Sequence, residues 1–263
     1  MRTKVRVSLN NTYLDTLDST IVLQGVEEQA PSWNLTAASR GGLVGQHYVN
    51  TEKRYRDVIV SFAIREISDL AKRQDVYNKV CAWAAAGGSL KLSYRSNMEL
   101  RVKCVSLPAL GNVQQWANPM QMTFRAYDIP QWIDTAFTTV TQSTPGTNVS
   151  AVLQVTATGG GKLSIEVFNS SSSTCNSLTI SSTRGNIAFS SLGLESNEVL
   201  RIAYTENDIQ VIQIQNGTTY RSAMDKRTVD SSDDIWLSKG NNTIRVYANV
   251  AVAFEASTKG RWE

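Results

Sequence analysis

The sequence predicts a mainly β protein in two domains, the first with a single α-helix and the second built of strands alone. Three observations carry this. Apolar and polar residues alternate with period two along most of the 263 residues, the mark of strands with one buried face. One stretch, near residues 68–88, repeats at helical period instead. And an alternating strand stops at a proline halfway along, just ahead of an uncharged stretch rich in hydroxyls.

In chain order, "KVRVSL" puts Val5, Val7 and Leu9 on one face, and "RDVIVSFAIRE" does the same with Val58, Val60, Phe62 and Ile64. β-Branched and aromatic residues favour the strand in both. "SDLAKRQDVYNKVCAWAAAGG" then places Leu70, Tyr77, Val80, Cys81 and Ala84 on one helical stripe, with Lys72, Arg73, Asp75 and Lys79 elsewhere. Ser68 is the expected N-cap, Asp69 suits the positive end of the dipole, and Gly87-Gly88 supplies the stop. Strands resume at "SLKLSY", "ELRVKCVSL" and "MQMTFRAY", the last with Met120, Met122, Phe124 and Ala126 on one face.

Pro130 cannot donate to a ladder and biases Ile129 away from helix, so the strand ending at Asp128 must leave its sheet. Trp132 offers a large apolar surface to pin the exit against the domain just finished. Residues 138–150, "TTVTQSTPGTNVS", read as linker. The expected domains are therefore 1–134 and 151–263, joined by 135–150. In the second half, eight alternating runs from "LQVTAT" to "NTIRVYANVAVAFEA" follow one another between Gly, Asn, Ser and Asp turns, as in an antiparallel sandwich or barrel. Leu163, Ile165, Val167, Ile244, Val246 and Ala248 supply its inward faces.

Composition excludes several classes. No apolar run reaches the roughly 18 residues of a membrane span, and "MRTKVRVSLNN" lacks the apolar core of an export signal. The net charge is +3, with 16 Lys+Arg against 12 Asp+Glu in residues 1–134 and 10 against 11 in 135–263. The densest basic cluster, Lys53-Arg54-Tyr55-Arg56, is flanked by Glu52 and Asp57, unlike the basic stripe of a nucleic-acid binder. Three widely spaced cysteines (Cys81, Cys104, Cys175) form neither a disulfide framework nor a zinc pattern and are expected as buried thiols.

Catalytic patterns fail in turn. His47, in an expected loop, is the sole histidine, which leaves no His-based metal site or acid–base pair within one chain. "GGSLK" has Lys91 where a nucleophile elbow needs glycine. "TATGGGKL" has Thr156 and Leu163 where a phosphate loop needs Gly and Ser/Thr, so Gly159–Gly161 are expected in a loose hairpin turn. The acid pairs Glu27-Glu28 and Asp233-Asp234 are adjacent, not disposed across a cleft. No catalytic, cofactor-binding or metal-binding residue is assigned, and no cofactor is expected.

The order of elements resembles the distal tail protein of siphovirus-type bacteriophages. The resemblance rests on "SRGGLVGQHYV", "RYRDVIVSFAIR", the helix, "FRAYDIPQW" (of the type F-x-A-x-D-x-P-x-W) and "WLSKGNNTIRV". It implies an N-terminal β-sandwich-like belt domain with one α-helix and a C-terminal galectin-like antiparallel β-sandwich. It also implies a structural, non-enzymatic role: a homo-oligomeric ring, usually a hexamer, in the virion's distal tail. Such a ring joins the tail tube protein to the tip and receptor-binding proteins, is assembled in the host cytoplasm, and lets DNA pass through its lumen without specific binding or membrane insertion.

The segment Ala38 to Lys53 combines pliable glycines with anchoring groups, so Arg40, Leu43, Val44, Tyr48 and Lys53 are the expected inter-subunit contacts. A carbohydrate-binding module is the alternative. The second half lacks the histidine of the galectin His-Asn-Arg set, and of its tryptophans, Trp236 and Trp262, the first reads as core.

Overall fold

The computed structural model describes residues 5–38, 47–65, 69–109, 120–206 and 208–262, with only the backbone course given for 33–38 and 47–53. The chain divides into two compact units, Met1–Trp132 and Ile133–Glu263.

In the first unit the strands are β1 (Val7–Leu9), β2 (Thr12–Tyr13), β3 (Ile21–Glu28), β4 (Ser32–Ala38), β5 (His47–Ile64), β6 (Gly88–Leu92), β7 (Met98–Ser106) and β8 (Met120–Ala126). Their spatial order is β2-β1-β6-β7-β8-β5-β3, with β4 on β5. β7 pairs with β6 through Leu100–Val102 and with β8 from Lys103 onward. One strand thus passes from one sheet to the other at a corner of the sandwich-like fold. Val58, Val60, Phe62, Ile64, Met122 and Phe124 are buried as their alternation requires. Val5 and Tyr94 are instead exposed, because each lies beyond the end of its strand.

The helix, α1 (Leu70–Ala85), is present, but its buried face is turned from the expected one. Arg73, Val76, Val80, Trp83 and Ala84 point inward, while Leu70 is exposed. Trp83 decides this rotation: it packs edge-on against Phe124 at 5.8 Å and donates its Nε1–H to Thr12 O at 3.0 Å. The N-cap is Asp69, whose Oδ1 accepts from the Lys72 amide at 3.0 Å; Ser68 lies outside the described residues. Gly87 and Gly88, at φ +59° and +116°, turn the chain into β6.

The second unit opens with β9 (Trp132–Asp134), whose first residue still belongs to the first unit, and β10 (Thr138–Val155). Then come β11 (Gly161–Lys162), β12 (Ser164–Asn169), β13 (Cys175–Ser182), β14 (Gly185–Leu194), β15 (Val199–Tyr204), β16 (Gln210–Asn216), β17 (Thr219–Ser222), β18 (Trp236–Leu237), β19 (Gly240–Thr258) and β20 (Arg261–Trp262). The main sheet runs β14-β13-β19-β12-β15-β16-β17, with β10 along the other edge of β19. β19 pairs with β13 through Arg245–Ala248 and with β12 through Val252–Ser257, so it too bridges two layers. Their inner faces enclose one core that includes Leu153, Ile165, Val167, Leu178, Ile180, Leu200, Ile202, Ile244, Val246 and Phe254. Full burial of each such side chain contributes roughly 1.5–3 kcal/mol.

The expected linker is corrected here. Residues 138–155 form an 18-residue strand paired with β19 along its length. Pro145-Gly146, which reads as a linker turn, sits between the register shifts at Gln142/Gly146 and Gly146/Asn148. A residue without an N–H is tolerated in a strand at just such a bulge. The Gly159–Gly161 turn is tight, not loose: a Cβ on Gly160 would lie 2.2 Å from Leu237 O, and one on Gly161 2.3 Å from Thr258 Oγ1. Cys175 is buried, whereas Cys81 and Cys104 are half-buried on the helix and on β7.

Candidate functional site

The feature that distinguishes the first unit is an arm. From Val58 to Ile64, β5 lies between β3 and β8 in the sheet. From Tyr55 back to His47 its strand partner is β4, in a register running from Ser32↔Tyr55 to Ala38↔His47. A nine-residue stretch of this kind spans about 30 Å. Two-stranded ribbons are marginal in water on their own and need a surface to lie against.

Tyr48 and Lys53 are on this arm, opposite Ala37 and Trp33. The expectation of a loop there is corrected: both, with His47, belong to β5. Polar residues interrupt the apolar alternation in "HYVNTEK", so period two does not mark it as strand. Arg40, Leu43 and Val44 lie outside the described residues.

Two charge–aromatic clusters fix the root of the arm. In one, Arg125 on β8 gives a forked pair of 2.6 Å hydrogen bonds to the Asp57 carboxylate. Its guanidinium lies 3.8 Å from the Tyr55 ring centroid and 5.8 Å from that of Tyr127. The bond to Asp57, above all, raises the Arg125 pKa further above its ordinary value. The Gln29 amide bonds to Asp57 O at 2.9 Å, which ties the turn between β3 and β4 to the same point.

In the other cluster Glu28, the last residue of β3, accepts from Tyr94 Oη at 2.7 Å, Arg95 Nε at 3.1 Å and Trp132 Nε1 at 2.8 Å. Trp132 is 0% exposed, and Arg95 stands 5.3 Å from its ring centroid. Although the residue as a whole is exposed, desolvation of its hydroxyl end in this cluster, then the bond to Glu28, pushes the Tyr94 pKa upward. The "FRAYDIPQW" motif therefore supplies Arg125, Tyr127 and Trp132 to the base of the arm. Sequence reasoning singled out Trp132 but missed Glu28, Asp57 and Arg125. The available signal was the outward row of "FRAYD", where Arg125 and Tyr127 alternate with buried Phe124 and Ala126.

In the second unit, Trp236 is half-buried rather than core. Arg261 lies 4.9 Å from its ring centroid. Arg261 in turn bonds Asp208 at 2.6 Å, and Lys162 bridges Asp208 and Asp234 at 2.9 and 2.8 Å. These groups satisfy one another and tie β11 and β20 to the two loops that carry Asp208 and Asp234, and the guanidinium occupies a face on which a sugar would stack. A shallow hollow of about 200 Å³ is lined by Glu198, Ile214, Asn216, Thr219, Tyr220 and Arg221, below the size of ordinary ligand pockets. Its carboxylate is already used by Arg221, Asn216 and the Glu195 amide. Among the described residues no group of three or more His, Cys, Asp or Glu is placed to hold a metal ion.

No family pattern and no curated protein matches this chain. Solved structures do. The SPP1 Dit (gp 19.1) protein, described as a paradigm of the hub adsorption apparatus in Gram-positive-infecting phages, superposes with a TM-score of 0.73 at 12% identity, over 98% of this chain and 99% of that one. A chain of the phage P2 baseplate in its activated conformation with Ca gives 0.50 at 8% identity, over 98% of both. From end to end, the fold of this chain is that of the SPP1 Dit hub protein.

Proposed function

We propose that this chain is a structural subunit of a phage tail hub that closes into a ring, usually of six, at the distal end of the tail tube. The observation that carries the reading is the arm: a two-stranded ribbon rooted by two rigid clusters, on a chain that shares its fold with SPP1 Dit over nearly its full length. A two-stranded ribbon is marginal on its own and gains stability by lying on the next subunit. Head-to-tail contact of that kind closes into a ring. Arg40, Leu43, Val44, Tyr48 and Lys53 would make the contact. The ring would join the tube to the tip and receptor-binding proteins, pass DNA without reading it, and perform no chemistry.

The test removes Gly41 to Gln46 and follows assembly by negative-stain imaging and light scattering. Rings of the full-length chain that weaken in the deletion variant, with its thermal unfolding unchanged, support the reading. Rings that persist unchanged exclude residues 41–46 as the contact.

A further inference from the structure

The strand β10 has a second edge that none of the other described strands occupies; its partner is β19 alone. A row of unpaired backbone N–H and C=O groups is a template for another strand, and proteins blunt it with charge, brevity or cover. The other edges of this chain follow that practice. The outer edge of β14 is covered by residues 227–232: Thr228 N bonds Ala188 O at 2.9 Å, Ser231 Oγ accepts from Ala188 N at 2.9 Å, and Ser232 N bonds Asn186 O at 2.7 Å. β17 has four residues, β2 has two, and β3 carries Glu27 and Glu28. Among the described strands outside the arm, β10 alone is long and unguarded, with 18 residues and no charge among them.

Its straight half, Val149–Val155, is also self-complementary. Val149, Leu153 and Val155 are buried and Ala151 packs against the same core, while Ser150, Val152 and Gln154 face out. Val152 is the one apolar residue of the outward row and is 53% exposed. Laid antiparallel against its own copy with Val152 opposite Val152, the strand pairs Val149 with Val155 and Ala151 with Leu153 on the inner face. Ser150 then meets Gln154 on the outer face. Every opposed pair matches in polarity, and no like charges meet. Shifting the register by one residue would set buried against exposed positions throughout.

We propose that the free edge of β10 pairs antiparallel with the same edge of a second copy of this chain, about a two-fold axis through Val152. The two edges have no charge to repel each other, and the pairing joins the two sheets into one. Seven residues on each side bury less than the ~1,200 Å² of a stable interface, so the pair is expected to dissociate at about micromolar concentration. The inference is separate from the ring: it doubles whatever assembly the first unit makes.

Two measurements on the full chain test it. In a C81S/C104S background, Val152→Cys should form an intermolecular disulfide on mild oxidation, because opposed antiparallel residues lie about 4.5–5.5 Å apart, within disulfide range. Ser150→Cys alone should not, since its copy would lie roughly 13 Å away; a mixture of Ser150→Cys and Gln154→Cys should. Sedimentation velocity at about ten times the dissociation constant should show a twofold lower mass for Val152→Lys than for the unmodified chain, whether the halved species is one subunit or one ring. Failure of Val152→Cys to link, equal linking by Ser150→Cys, or an unchanged mass in Val152→Lys overturns the pairing. The edge would then be free or reserved for a strand of another protein. Loss of rings without loss of the disulfide would count against the hub reading only.

Discussion

Replacing Arg125 by methionine tests whether the root of the arm depends on its buried pair. Methionine keeps an apolar stem of similar length and removes the guanidinium. Asp57, whose side chain is 10% exposed, then loses two charge-assisted bonds of 2.6 Å. Stranding one member of a buried pair costs roughly 3–5 kcal/mol. Arg125 is itself 27% exposed, so water reaches the vacated space and the expected cost lies near 3 kcal/mol. Loss of the cation over Tyr55 adds about 0.5–1 kcal/mol. Adding Asp57→Asn removes the stranded charge, so the double variant should regain at least about 1.5 kcal/mol over Arg125→Met alone. Urea unfolding, followed by tryptophan fluorescence and circular dichroism, measures both differences from shifts in midpoint at constant slope. A cost below about 1 kcal/mol for Arg125→Met, or a double variant no more stable than the single, refutes the account of the root.

Other predictions concern the two units. Trp132→Phe should cost about 1.5–3 kcal/mol, because it removes a donor to the Glu28 carboxylate, and the urea midpoint checks it. At Glu198, burial pushes the carboxyl pKa up, but Arg221, the Glu195 amide and Asn216 together hold it below its ordinary value. Since the folded pKa lies under the unfolded one of about 4.3, the stabilisation is complete above that pH and disappears as pH falls through the folded value. Calorimetry should show the second unit losing this stabilisation below about pH 4, and Arg221→Met should remove the acid dependence while lowering the melting temperature at pH 7. Limited proteolysis should make its first cut outside residues 138–155, because that segment is ladder-paired strand; early cleavage at Pro145-Gly146 would contradict the assignment.

Much of the fold is legible in the sequence wherever a strand has one buried face. The "DVIVSFAI" and "LSIEVF" alternations map directly onto β5 and β12 because packing enforces period two. Legibility ends where pairing is made by backbone alone. The edge strand "TTVTQSTPGTNVS" buries little, so its residues are free to look like linker, and "HYVNTEK" lacks the apolar alternation of a strand; their partners, β19 and β4, are set by topology. The helix shows in its period, yet its rotation depends on Trp83 meeting Phe124 and Thr12, a contact between residues far apart in the chain. The root clusters were hidden for the same reason. Glu28, Asp57, Arg95 and Arg125 are ordinary surface residues in sequence, and they become a site only when β3, β5, β8 and the turn after β6 bring them within hydrogen-bonding distance. The family resemblance identified "FRAYDIPQW" as a unit, and the structure supplies the reason: its Arg125 and Trp132 close the two clusters.

The central claim, a ring-forming tail hub, is tested most directly by the mass and image of the purified full-length chain at micromolar concentration, alone and mixed with the tail proteins of the same virion. The account predicts closed rings, usually of six subunits or of paired sixes, in at least one of the two conditions. A chain that stays strictly monomeric in both would contradict it.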